Sequence, residues 1–160
     1  MIAVASDRIG WPLKVEIMKM LDEMRLEYTD FGTYNYEDKV NYPPFGYKAA
    51  RAVKNGECEK GIIFCGTGVG ISLSANKVKG IRCCVCSDCY SAEMSKRHND
   101  TNMLALGAWV VGPELAKMIV RSWLHAEFEG GGHQMRLDMI TRIENEDESF
   151  LDKYDVTEKG

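Results

Sequence analysis

No apolar run in these 160 residues approaches the roughly 20 that a membrane-spanning helix needs, so neither a span nor a membrane partner is expected. There is no block of lysine and arginine. The 20 basic residues stand against 24 acidic ones, a formal net charge of -4, and nucleic acid finds no general attraction. The chain start lacks the basic head and long apolar stretch of an export signal, since residues 1–10 are a short apolar run followed by Ser6, Asp7 and Arg8. The expected compartment is therefore the cytoplasm. The six cysteines, Cys58, Cys65, Cys83, Cys84, Cys86 and Cys89, are then expected to be free thiols and not a disulfide framework. No internal repeat is present.

What is present is the composition of an ordinary globular protein, 45% hydrophobic and 28% charged. The length suits one domain, expected over residues 1–145, with an acidic, flexible tail over 146–160. Short apolar runs alternate with amphipathic stretches, the pattern of repeated strand and helix units and of an α/β fold whose parallel sheet is covered on both faces. Strands are expected at residues 2–5, 28–31, 61–65, 81–86 and 103–106, the last prolonged by 109–111. Leu13, Ile17, Leu21 and Met24 recur at helical spacing after Pro12, and Phe45, Ala49, Ala52 and Val53 do so after Pro43 and Pro44. Further helices are expected over 69–77 and 90–98, from Pro113 with Leu115, Met118, Ile119 and Trp123 inward, and from about His133.

The segment from Cys65 through Gly66, Thr67, Gly68, Val69 and Gly70 to Ser72 lies between a buried strand and a helix. Such a turn gathers backbone N–H groups and the positive end of a helix dipole at one spot, where an anion or a developing oxyanion is stabilised. No Lys-Ser or Lys-Thr follows, which excludes a Walker loop, and the glycine spacing is not that of a dinucleotide fold. A tight turn without ligand is the plain alternative. A thiol at this place meets donors that favour its thiolate, which can act as a base; otherwise Cys65 is a small buried apolar residue.

Cys86-Ser87-Asp88-Cys89 admits a thiol redox pair, but the charge of Asp88 disfavours a thiolate there. A zinc site lacks its second ligand pair, and Cys83 and Cys84, being consecutive on a strand, point to opposite faces; no metal is expected. His98 ends a polar helix and precedes Asn99, Asp100, Thr101 and Asn102, a surface or catalytic position. His133 and Arg136 fall one helical turn apart, so both can reach one anion.

The segments 65–72 (CGTGVGIS), 74–78 (SANKV), 80–82 (GIR), 90–92 (YSA) and 98–102 (HNDTN), in this order and spacing, resemble the type B ribose-5-phosphate isomerase family, which includes allose- and galactose-6-phosphate isomerases. The similarity spans residues 2–143. It implies a three-layer α/β/α sandwich with a mostly parallel, five-stranded, Rossmann-like sheet. It further implies a homodimer or homotetramer with active sites at the subunit interface, a sugar or sugar phosphate as substrate, and catalysis without metal or other cofactor. Carried over by motif, Cys65 is the base that moves a proton between C1 and C2. Thr67 and the amides of Gly66, Gly68 and Gly70 hold the enediolate oxygen, and His98 helps to open the sugar ring. Asp7, Tyr42 and Asn99 bind or polarise hydroxyls, and His133 and Arg136 hold the phosphate.

Three positions depart from the family pattern. Arg8 stands where a histidine is usual, and Trp109 and Gly132 stand where arginines are usual. Replacing arginine by tryptophan removes a bidentate phosphate donor and adds an apolar plane. The default substrate by family is ribose 5-phosphate, converted to ribulose 5-phosphate. Alternatives are an unphosphorylated or differently phosphorylated sugar, and a non-catalytic sugar-phosphate-binding regulator, against which Cys65, Thr67 and His98 speak.

Overall fold

In the computed structural model, which describes residues 1–151, the chain divides into one unit over Met1–Phe128 and another over Glu129–Gly160. In the first, strand β1 (Ile2–Ser6) leads through Pro12 into helix α1 (Trp11–Glu23) and on to β2 (Tyr28–Asp30). Helix α2 (Tyr42–Lys54) opens on Pro43 and Pro44 and ends at Asn55. Then come β3 (Lys60–Cys65), α3 (Val69–Asn76), β4 (Cys83–Val85), α4 (Cys89–Asn99), β5 (Met103–Gly107) and α5 (Pro113–His125). The sheet order is β2-β1-β3-β5-β4, and every pairing is parallel.

The period of two along each strand sorts the core into two layers. Val4, Ile62, Phe64, Leu104 and Leu106 face Leu13, Ile17 and Leu21 of α1 and Ile119, Val120 and Trp123 of α5. Ala3, Ala5, Ile63, Cys65 and Ala105 face Ala49 and Ala52 of α2 and Ile71 and Ala75 of α3. Helices thus cover both faces. Central β3 is buried on both sides, which is why it reads as an unbroken apolar run. Each large aliphatic side chain so buried contributes about 1.5–3 kcal/mol. The fully buried Trp123 donates its indole N–H to Thr101 Oγ1 at 2.8 Å, tying α5 to the start of β5.

Three local expectations are corrected. Strand β4 is shorter than 81–86, beginning only at Cys83. Residues 109–111 do not prolong β5, because the Ala108 and Trp109 amides turn to the carbonyls of Cys65 and Gly66, both at 2.9 Å. On α5 the inward face is Ala116, Ile119, Val120 and Trp123, while Leu115 and Met118 are exposed.

The second unit contains helix α6 (Gly132–Glu144), close to the expected start at His133. Residues 145–151 follow it without further α-helix, and the rest of the predicted tail lies outside the described residues.

Candidate active site

With all strands parallel, their carboxyl ends form one edge, and in sheets of this kind the crevice lies where the strand order reverses, here between β1 and β3. Two candidate side chains stand at that point. Asp7 is the first residue past β1 and Cys65 the last of β3, and the register of Ser6 with Phe64 sets them side by side, about 4.8 Å apart along the sheet. The Asp7 amide donates to the Phe64 carbonyl at 3.2 Å. Asp7 is only 8% exposed, and its carboxylate accepts from the Gly10 amide at 2.8 Å. Burial pushes the Asp7 carboxyl above its ordinary value, opposed by the amides of Gly10 and Ile9 and by the charge of Arg8.

The Cys65 sulfur accepts from the Gly68 amide at 3.1 Å. This needs Gly68 at φ 80°, the left-handed region that glycine enters freely, at the N-cap of α3. Thr67 is exposed, and its Oγ1 accepts from the Val69 amide at 3.3 Å. The first N–H groups and positive dipole end of α3 therefore converge beside the thiol. Two aromatic rings press on the loop. A methyl group on Gly70 would lie 2.6 Å from the ring of Tyr42, and one on Gly66 would lie 2.8 Å from that of Trp109. Gly107 is equally confined, since a methyl there would meet the Thr67 backbone at 2.7 Å.

Beside the loop, Trp109 and Tyr36 line a cavity of about 420 Å³ together with Ile9, Pro12, Glu16 and Pro113. Trp109 is 73% exposed, and the Arg8 guanidinium stands 6.0 Å over the Tyr36 ring. The turn leading to Tyr36 is held by a buried cation. Lys14 is fully buried, and its ammonium donates to both carboxylate oxygens of Asp30 at 2.7 and 2.8 Å and to the Thr33 carbonyl at 2.5 Å. Burial lowers the Lys14 ammonium, and Asp30 counteracts it. Sequence reasoning missed Lys14, Asp30, Tyr36 and Gly107. A lysine three residues before Ile17 on the apolar helix stripe was the available signal for the first.

His98 and Asn99 are not brought to this crevice within one chain. Helix α4 starts at the carboxyl edge and runs back along the sheet for 11 residues. At about 1.5 Å a residue it carries His98 and Asn99 to the opposite edge, on the order of 15 Å away, where Asn102 meets the start of β3. In the second unit, His133 and Arg136 do lie together, with Nδ1 of His133 3.3 Å from the Arg136 guanidinium and Nε2 3.6 Å from Glu129. All six cysteines are free. Cys83 and Cys84 face opposite layers of the core, as strand geometry requires.

Among the described residues no helix is long and apolar enough to cross a membrane. A family profile described as Ribose/Galactose Isomerase matches residues 2–140. The chain is 53% identical over 143 residues to ribose-5-phosphate isomerase B of Escherichia coli (strain K12), covering 89% of this chain and 95% of that one. The solved ribose-5-phosphate isomerase B of Clostridium thermocellum superposes with a TM-score of 0.89 at 53% identity, covering 91% of this chain and 97% of that chain. The Mycoplasma genitalium ribose-5-phosphate isomerase B, solved with bound ribulose-5-phosphate, gives 0.86 at 37% identity and covers 91% and 96%. Matched by the family profile over residues 2–140 and similar to these proteins over nearly their whole length, the chain belongs to the ribose/galactose isomerase family.

Proposed function

We propose that this protein interconverts an aldose phosphate and its ketose, ribose 5-phosphate and ribulose 5-phosphate by default, with Cys65 as the base. The observation that carries this reading is the Cys65 sulfur at the sheet switch point, held by the Gly68 amide beside the start of α3 and next to Asp7. The Cys65 thiolate removes the C2 proton of the open-chain aldose, and the C–H electron pair becomes the C1–C2 double bond. The carbonyl oxygen O1 takes up the negative charge, where Thr67 and the loop amides of Gly66 and Gly70 stabilise it. Proton exchange between O2 and O1, and return of the proton from sulfur to C1, complete the ketose. Asp7 and Tyr42 bind sugar hydroxyls, and Arg8 stands where the distal end of the substrate lies.

His98, Asn99, His133 and Arg136 enter the same reading through a second copy of the chain. The course of α4 supports this, because it leaves His98 and Asn99 at the wrong edge for the crevice of their own chain. A homodimer, or a tetramer built of such dimers, gives each site its ring-opening histidine and its phosphate ligands. Residues 1–145 act as one catalytic domain in this reading, and six free thiols support a cytoplasmic setting.

A second reading rests on Trp109, whose broad exposed ring lies against Gly66 where an arginine would serve a phosphate. It assigns an unphosphorylated or differently phosphorylated sugar. One experiment separates the cases: incubation in deuterated water with a panel of free and phosphorylated aldoses, following ketose formation and deuterium at C1 and C2. Exchange with ribose 5-phosphate supports the first reading and exchange with a free sugar alone the second. Binding without any exchange leaves a sugar-phosphate-binding regulator.

A further inference from the structure

The sequence draws attention to Cys86 with Cys89, but the structure pairs Cys86 with Cys84. Strand β4 is extended through Cys84, and the Cys86 amide continues its ladder to the Ala105 carbonyl at 3.2 Å. Residues two apart on a strand share a face. The Cys84 and Cys86 sulfurs accordingly stand 3.7 Å apart, with the Cys86 thiol donating to Cys84. Their surroundings differ: Cys86 is 2% exposed, whereas Cys84 is half-buried on a strand at the sheet edge. Of the two residues, Cys84 is the one with access to solvent.

We infer that Cys84 and Cys86 are a peroxide-oxidised thiol pair that closes reversibly to a disulfide. The Cys84 thiolate attacks the O–O bond of hydrogen peroxide, takes one oxygen as a sulfenic acid, and releases hydroxide, which is protonated to water. The Cys86 sulfur then attacks the Cys84 sulfur; the S–S bond forms, the S–O bond breaks, and the departing hydroxide leaves as water with the Cys86 proton. Two thiols and one peroxide give one disulfide and two waters. Hydrogen bonding from Cys86 holds the Cys84 thiol below its ordinary range, against burial and the nearby Asp88 charge. The same pairing, and after it burial, push Cys86 upward. The exposure of Cys84 and the burial of Cys86 assign attacker and resolver.

The geometry also explains why the bond reopens. Two strand residues span about 6.6 Å between Cα atoms, near the upper end of the ~4.4–6.8 Å that a disulfide bridges, so it forms under strain and is readily reduced. Cys83 faces the other core layer and takes no part.

The test treats the reduced full-length protein with hydrogen peroxide, blocks remaining thiols with iodoacetamide, and reads the peptide spanning residues 83–96 by mass spectrometry. The expected product lacks two hydrogens, leaves Cys84 and Cys86 unalkylated on fragmentation, and reverts with dithiothreitol. Cys84→Ser and Cys86→Ser should each abolish it, while Cys83→Ser and Cys89→Ser retain it. In Cys86→Ala, which suits the buried site, Cys84 should stop at the sulfenic acid and be trapped by dimedone. A disulfide that survives loss of Cys84 or Cys86, one that needs Cys89, or wild-type protein that only gains oxygen at Cys84 overturns the inference.

Discussion

The Gly68 amide donates to the Cys65 sulfur at 3.1 Å, across the turn that opens α3. The sulfur is thus both the proposed base and the acceptor for a buried amide. Cys65→Ala should reduce turnover by about 100- to 10,000-fold. It should also destabilise the fold by about 1–3 kcal/mol, because the amide loses its acceptor. Cys65→Ser restores an acceptor but not the base, so it should recover the melting temperature and not the rate. Steady-state kinetics beside thermal melts read this, and near-normal turnover in either variant removes Cys65 from the mechanism.

Asp7 carries a buried carboxylate raised above its ordinary value. Between the unfolded value, 3.8, and the raised folded one, the folded chain binds more protons than the unfolded. The associated stability is therefore complete below the unfolded value and lost as pH rises through the folded one. Asp7→Asn keeps an acceptor for Gly10 and removes the charge. At neutral pH it should melt no lower than wild type, with the difference shrinking toward acid. Losing a charged contact to a sugar hydroxyl should cost roughly 10- to 100-fold in kcat/KM. A variant clearly less stable at pH 7, or equally active, contradicts the assignment.

If the site is shared between copies as proposed, complementation is possible. Cys65→Ala and His98→Asn should each be nearly inactive alone. After unfolding and refolding together they should regain activity, approaching about a quarter of the wild-type sites in a random dimer. Mixtures as inactive as the parents place both residues in one chain's site.

Arg8 stands over the Tyr36 ring, which lines the same cavity as Trp109. If it holds a phosphate, Arg8→Ala should raise KM for ribose 5-phosphate about 10- to 100-fold, the loss of one charge-assisted contact. A free sugar should be little affected. If the exposed Trp109 plane instead selects a free sugar, Trp109→Arg with Gly132→Arg should shift preference toward ribose 5-phosphate, the double variant being compared with each single one. An unchanged KM in Arg8→Ala, with wild type already preferring ribose 5-phosphate, defeats both versions.

The strand and helix order was legible because it is written in local periods: unbroken apolar β3, the glycines after it, and prolines opening α1, α2 and α5. The placement of Cys65 and Asp7 followed from that order. On α5, apolar residues at 115, 116, 118, 119, 120 and 123 satisfy helical spacing in two phases, and only packing against β5 chooses between them. Buried Lys14 was hidden because charge is read by default as solvent-facing, and its partner Asp30 lies 16 residues away. The contact of Trp109 with Gly66 joins two strand ends and has no local signature. The proposed sharing of site residues between two copies came from the family resemblance alone, since a sequence does not say at which edge a helix ends.

The glycines of the Cys65 loop carry one more consequence. Gly66 and Gly70 have aromatic rings, and Gly107 a backbone, where any side chain would have to go. A descendant that had lost all catalysis but kept this fold would still be forced to keep them. Their persistence in any relative records how tightly the sheet edge is filled and carries no testimony about chemistry; a relative that keeps all three yet lacks a thiol at the place of Cys65 should be assayed for a different reaction, or for none.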